Sequence, residues 1–366
     1  MWRYGSIRVA RIGDIAIDIH LSFILVLIWG AWQGWAGYGT IAGAGYGVFA
    51  TLLLFAGVLL HEFGHSLQAR AYGLDVRRIT LLPIGGFAEL TNSPSHYWHE
   101  LLIALAGPAV NLGIALAAGS IAYSIQPFPL TNWADYLLFS TPPSAISALL
   151  YVFWVNVLLF VSNMFPAFPM DGGRVLRAAL AILTDYTAGT RLAAWFGRLL
   201  AVGLVIIGAQ SVTSGLPSAT SLVLFVVALM MWVGAQQEQA YVRRRRALLQ
   251  VEIEDVYRQS KDIVAPWDPV TRRLASRAAR AGGVLPVAVD GRVVGLLYAT
   301  DARQALRRSR SATVAHIMQT RYPVVSPQET LWVALQEMST YQLAALPVMH
   351  GDDFYGIINL DDIRRT

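Results

Sequence analysis

Six apolar runs, near residues 21–36, 46–72, 101–123, 148–168, 193–212 and 219–234, each approach the ~20 residues that a helix needs to cross hydrocarbon. Nothing else in the chain constrains its fold as much, because backbone in lipid must satisfy its own hydrogen bonds. Charge follows the same division. Residues 1–242 hold 10 Arg and 10 Asp+Glu, whereas residues 243–366 hold 17 Arg, one Lys and 13 Asp+Glu. A neutral membrane domain followed by a soluble domain carrying the whole +5 is the reading. There is no Cys, so disulfides, iron–sulfur clusters and thiol nucleophiles are excluded, and any metal must rest on His, Asp or Glu. Asp14 and Asp18 ahead of the first run argue against a signal peptide. Arg supplies 27 of the 28 cations, which reads as codon bias, and nucleic acid is not expected as a partner.

Loops 37–45, 124–147 and 213–218 lack Arg and Lys, while Arg3, Arg8, Arg11, Arg70, Arg77, Arg78, Arg174, Arg177, Arg191 and the four Arg at 243–246 alternate with them. The positive-inside rule then predicts a multi-pass protein of the cell (inner) membrane, with both termini and the soluble domain in the cytoplasm. Two segments do not read as spans. Residues 6–19 alternate apolar and polar around Gly13-Asp14, a hairpin signal. Residues 79–90 are β-leaning and broken by Pro83 and Gly85-Gly86. Both are expected as strands packed at the cytoplasmic edge of the bundle, with surface loops as the alternative.

The second run contains His61-Glu62-Phe63-Gly64-His65, an H-E-x-x-H pattern. On a helix, positions i and i+4 share a face, so both imidazoles can reach one metal, and Glu62 is placed to take a proton from its water. Imidazole and carboxylate side chains at membrane depth are costly and usually functional, the alternative being an interfacial cluster reaching for water. Two His leave a catalytic zinc shell one protein ligand short. Asp171 stands out among the remaining acids, in Asn163-Met164-Phe165-Pro166-Ala167-Phe168-Pro169-Met170-Asp171-Gly172-Gly173-Arg174. Pro166 and Pro169 break the preceding helix, and Gly172-Gly173 permits a tight turn. Taken alone, this stretch reads equally well as a plain helix exit.

An intramembrane H-E-x-x-H followed about 100 residues later by N-x-x-P-x-x-P-x-D-G-G-R resembles the site-2 protease family of intramembrane zinc metalloproteases, over residues 1–236. Ile17-Asp18-Ile19-His20, Pro83-Ile84-Gly85-Gly86 and Ala106-Gly107-Pro108-Ala109-Val110-Asn111 match as well. The resemblance implies one zinc per chain on His61, His65 and Asp171, with Glu62 as catalytic base. It also implies that Gly85, Gly86 and Asn163 hold an extended substrate, although Asn163 reads as well as a cap or kink of its helix. The implied substrate is a single-span membrane protein, such as an anti-sigma factor or signalling precursor, cut near the cytoplasmic face. An exposed strand edge within 79–90 would bind the unwound substrate by β-augmentation. His20 is open between a role near the site and a structural one, while His96 and His99 read as surface residues.

After the basic run at 243–246, a topology anchor for anionic lipid, a repeat of period 61 begins. Val264-Ala265-Pro266 matches Val325-Ser326-Pro327, Leu285-Pro286-Val287 matches Leu346-Pro347-Val348, and Gly295 and Asp301 match Gly356 and Asp362. This resembles a tandem pair of CBS (cystathionine-β-synthase-type) domains, which implies adenine nucleotides (ATP, ADP or AMP) at Asp301 and Asp362 and a homodimer through the tail. The usual hydroxyl residue after the glycine is Tyr298 or Asn359 here, which leaves a purely structural pair as the other reading. The expected fold is an α-helical polytopic membrane protein of six spans with short membrane-associated β-strands, plus an α/β CBS-pair domain. Its parts are a protease domain at 1–236, a basic linker at 237–251, and CBS domains at 252–310 and 311–366. The expected function is intramembrane proteolysis modulated by the CBS pair. A CBS-regulated zinc transporter or metal sensor is the alternative, although the runs show no two-fold repeat of the kind transporters use.

Overall fold

Gly13, at φ +57°, reverses the chain between β1 (Ser6–Ile12) and β2 (Ile15–His20), as the hairpin signal requires. The structure is a computed structural model that describes residues 5–90, 94, 96–213, 218–259, 262–308, 312–341, 343–351 and 353–365. It separates into two units, Met1–Val242 and Arg243–Thr366.

In the first unit α1 (Phe23–Tyr38) is followed by α2 (Ile41–Ala71), β3 (Val76–Leu82), β4 (Gly85–Leu90) and α3 (Tyr97–Ile125). A short α4 (Trp133–Leu137) leads to α5 (Ala145–Asn163), α6 (Asp171–Leu183), α7 (Tyr186–Thr213) and α8 (Ser218–Leu249). Five of these, α2, α3, α5, α7 and α8, are long and apolar enough to cross a membrane. The expected first span falls short: α1 has 16 residues, about 24 Å against a core of about 30 Å. The cause is local. Gly39 ends α1 in the left-handed region at φ +66°, and the Thr40 hydroxyl accepts from the Gly43 amide at 3.0 Å. That cap starts α2 at Ile41 and takes residues the hydropathy pattern leaves in a loop. The loop at 213–218 lies mostly outside the described residues.

The two strand segments join in one sheet of order β1-β2-β3-β4, with β2 and β3 parallel and the other pairs antiparallel. Charge stitches it together. Asp18, buried on β2, pairs with Arg8 at 3.1 Å and Arg78 at 3.0 Å, and Arg78 reaches Glu89 at 3.0 Å. The expected tight turn at Gly172-Gly173 is instead the first turn of α6. A Cβ on Gly172 would lie 2.3 Å from the Phe165 carbonyl oxygen, so these glycines let α6 start directly against the 164–170 loop.

In the second unit α8 continues through the four Arg at 243–246 to Leu249, so much of the expected linker is helical. The repeat follows as α9 (Arg272–Arg280), β5 (Val284–Val289), β6 (Arg292–Tyr298) and α10 (Ala299–Arg308), then α11 (Leu331–Tyr341), β7 (Ala345–His350), β8 (Asp353–Asn359) and α12 (Leu360–Arg365). Its bonds repeat with the same period: Val264 N donates to Pro286 O and Val325 N to Pro347 O, while Leu296 pairs with Gln319 and Ile357 with Arg258. The last two pairings cross between repeats. Ile253 sits, fully buried, in the core built from Val325, Leu331, Met338, Leu346 and Ile358. Its counterpart Val314 sits in the core of Val264, Val270, Leu274, Leu285 and Leu297. Each repeat therefore lends its leading arm to the other, and the contiguous units 252–310 and 311–366 are not two separate cores. Ile253→Ala is expected to destabilise the second repeat by about 2–5 kcal/mol. Hydrogen exchange at the amides of β7 and β8 reads this, and unchanged protection there would contradict the exchanged arm.

Candidate metal centre

His61 and His65 lie one turn apart on α2 and are both buried, as is Asp171, the first residue of α6. Nε2 of His61 is 3.0 Å from Nε2 of His65, and each lies 3.1 Å from Asp171 Oδ2. Their far nitrogens decide what these atoms carry. His65 Nδ1 is 2.6 Å from the Ile103 carbonyl, which can only accept, so Nδ1 holds the proton. His61 Nδ1 is 2.6 Å from Asn111 Oδ1, and the Asn111 amide already donates to Asn156 Oδ1 at 2.8 Å and Gly57 O at 3.3 Å. Oδ1 is therefore the acceptor, and His61 too is protonated at Nδ1.

In their neutral form both rings then aim Nε2 lone pairs at a carboxylate oxygen, an arrangement that calls for a cation among the three atoms. That is unfavourable for the bare side chains and fits a divalent cation, with both imidazoles oriented from behind as metal-bound His usually are. The donor atoms of a tetrahedral zinc shell with bonds of 2.0–2.1 Å lie roughly 3.3 Å apart, close to the 3.0–3.1 Å found here. A two-nitrogen, one-oxygen set without sulfur suits zinc and leaves a fourth position open. Among the described residues this is the one group of three potential ligands held so closely.

Two glycines make room for this chemistry. A Cβ on Gly107 of α3 would lie 2.3 Å from His65 Nε2 and 2.8 Å from His61 Cε1. On β4, a Cβ on Gly86 would lie 2.4 Å from Glu62 Cγ, so the strand backbone runs directly against the Glu62 side chain. Gly85 beside it has φ +137°, a conformation suited to glycine. Among the described residues β4 pairs on one side only, with β3, so the free edge belongs to β4 rather than to the whole 79–90 segment.

Other residues singled out by sequence fall elsewhere. Asn163 ends α5 and donates from Nδ2 to its own Leu159 carbonyl at 2.9 Å. His20 bonds Ser22 at 2.7 Å next to the α1 start, and His99 stacks on Tyr72 at 4.0 Å. Sequence reasoning missed Asn156, which holds Asn111 and donates to Val152 O; its signal is an amide in the middle of an apolar run. In the tail, the buried Asp362 is bound by Arg258 at 2.6 Å and by reciprocal bonds with Asn359. Its counterpart Asp301 accepts from Gln319 at 3.3 Å. Tyr298 donates to Ala345 O at 3.1 Å, and burial, then the Asp301 charge, push its phenol pKa up.

Gly107→Ala is expected to lower zinc stoichiometry from one per chain toward zero while α2 and α3 still form. Elemental analysis together with circular dichroism checks this; full zinc in the variant would mean the cluster is not the metal site.

Comparisons with known proteins agree with this chemistry. The profile of peptidase family M50 matches residues 49–207, and that of the CBS domain matches residues 314–366, the second repeat alone. The zinc metalloprotease MJ0392 of Methanocaldococcus jannaschii is 31% identical over 362 residues, covering 99% of this chain and 96% of its own. Rip3 of Mycobacterium tuberculosis is 26% identical over 379 residues, 98% of this chain and 92% of its own. A solved site-2 protease from M. jannaschii shares 34% identity over 64% of this chain and 95% of its own, at a TM-score of 0.43. Near-complete alignment with a zinc metalloprotease sets aside the transporter and sensor alternatives. The chain belongs to peptidase family M50, the site-2 proteases, and is a membrane zinc metalloprotease with a CBS tail.

Proposed function

We propose that this protein hydrolyses a peptide bond in or near the transmembrane segment of a single-span membrane protein, with His61, His65 and Asp171 holding zinc and Glu62 as the base. The observation that carries the reading is the contact between Glu62 and β4: the carboxylate that moves the proton lies against a strand with one unpaired edge. A peptide bond inside a substrate helix is bonded to its own turn, so cleavage requires unwinding, and the freed N–H and C=O groups need partners. The β4 edge supplies them and lays the extended substrate beside Glu62. Zinc, when bound, polarises the scissile carbonyl and makes water a nucleophile near neutral pH. Glu62 takes the proton from the attacking water and delivers it to the leaving amine as the C–N bond breaks. Asn111 and the Ile103 carbonyl keep both imidazoles turned to the site throughout.

The positive-inside pattern supports placing both termini and the tail in the cytoplasm of an inner membrane. Anti-sigma factors or similar signalling precursors are the substrate type we propose, with the tail modulating cleavage and pairing chains as a homodimer. The ligand class proposed for the tail is an adenine nucleotide. At Asp362 it would have to displace Arg258, whereas Asp301 accepts long bonds from uncharged partners, Gln319 at 3.3 Å and the Thr300 hydroxyl at 3.4 Å, so the Asp301 half is the one expected to bind.

Purified protein is to be tested on single-span substrates with Glu62→Gln and Gly86→Ala beside wild type, with and without ATP, ADP or AMP. Wild type is expected to cut within the span, and both variants to keep one zinc but cleave about 10²–10⁴-fold more slowly. A nucleotide effect is expected to vanish in Asp301→Ala and persist in Asp362→Ala. Full activity in Glu62→Gln would sink the proposed role of that residue.

A further inference from the structure

Arg177 is buried on α6 between three helices. Its Nε donates to Glu100 Oε1 of α3 at 2.9 Å, with Nη2 on the same oxygen, and its Nη1 donates to Glu238 Oε2 of α8 at 2.5 Å. The guanidinium also lies over the Phe168 ring at 5.1 Å and the Tyr186 ring at 5.2 Å. The sequence places this residue among loop cations that set topology. The structure instead neutralises it with two carboxylates, at a desolvation cost that an apolar side chain of similar size would avoid.

The location of the triad suggests its use. Asp171 lies six residues before Arg177 on α6, about 9 Å along the axis. On α3, Gly107 and Asn111, which face the two imidazoles, lie seven and eleven residues after Glu100. The helices thus run antiparallel, tied at one level by Arg177–Glu100 and meeting about two to three turns away around the metal ligands. At that same end α6 starts on the 164–170 loop, where Gly173 lies against Ala167 and Phe168, the ring beneath the guanidinium. A slip of α6 along α3 would carry Asp171 away from His61 and His65. A planar fork held by two carboxylates resists that slip better than apolar contact does, because its bonds are directional.

We propose that Arg177, with Glu100 and Glu238, is a positioning residue that sets the register of α6 and so holds the Asp171 carboxylate at the metal. The proposal rests on the assignment of His61, His65 and Asp171 as the zinc ligands. Glu238 is the adjustable member, partly exposed and carried on α8, which continues into the tail unit as far as Leu249. Positioning of this kind reaches zinc affinity and turnover without any contact with substrate.

The test uses the full chain in detergent, with Glu238→Gln and the neutral triple variant Arg177→Met/Glu100→Gln/Glu238→Gln. The triple variant strands no buried charge and so separates folding from positioning. Zinc affinity is read by chelator competition, ligand geometry by the visible spectrum of the cobalt(II)-substituted protein, and folding by the thermal midpoint. The triple variant is expected to melt near wild type yet bind zinc about 10–100-fold more weakly with an altered cobalt spectrum. Glu238→Gln is expected to shift both in the same direction by a smaller factor and to lower kcat with KM unchanged. Wild-type zinc affinity and cobalt spectrum in a folded triple variant overturn the proposal. If the triple variant does not fold, the same result in Glu238→Gln overturns it. A wild-type chain that takes up neither metal overturns the ligand assignment itself, an outcome distinct from both.

Discussion

Two imidazole nitrogens and a carboxylate oxygen converge in the interior of the first unit, 3.0–3.1 Å from one another. Leaving two imidazole nitrogens and a carboxylate oxygen facing one another away from water is costly, and a cation turns that cost into binding energy. Much of the unit serves to keep the arrangement in place. Asn156 holds Asn111, Asn111 holds His61, and a main-chain carbonyl holds His65, so neither ring can turn its protonated nitrogen inward. Because a buried amide without its partner is itself expensive, the relay resists rotation at every member.

The remaining elements divide the work of bringing reactants to that point. One long apolar helix carries the two imidazoles and the base proposed above, and a helix starting directly on a proline-rich loop carries the proposed third ligand. Residues lacking side chains sit where imidazole or carboxylate would otherwise meet Cβ, so approach between elements is set by subtraction of atoms. The sheet adds what helices cannot, a backbone edge available to another chain. Its own cohesion comes from the charged row centred on Asp18, and among the described residues the outer edge of β4 pairs with no strand.

His61, Glu62 and His65 are legible in the sequence because their relation is local, fixed by helical spacing. Asp171 is legible only through the paired motif, since a carboxylate after two prolines has an ordinary reading too. The helix boundaries are less legible: hydropathy places a break at 37–45, but its narrowing to two residues depends on a left-handed Gly39 and a Thr40 cap that hydropathy does not see. Arg177 was misleading for a similar reason, because position past a proline break suggests a loop while its two carboxylate partners lie 77 and 61 residues away. In the tail the period is plain, yet exchange of arms cannot be read from it. An arm shifted by 61 residues offers either repeat the same bonds, and only three-dimensional pairing shows which one it uses.

The central claim, that these three side chains hold one zinc, is most directly tested by X-ray absorption at the zinc edge of the purified protein. The account requires one zinc per chain with two imidazole nitrogens at about 2.0–2.1 Å and the remaining shell entirely oxygen. Three or more imidazoles, or a folded and active protein with no zinc, would contradict it.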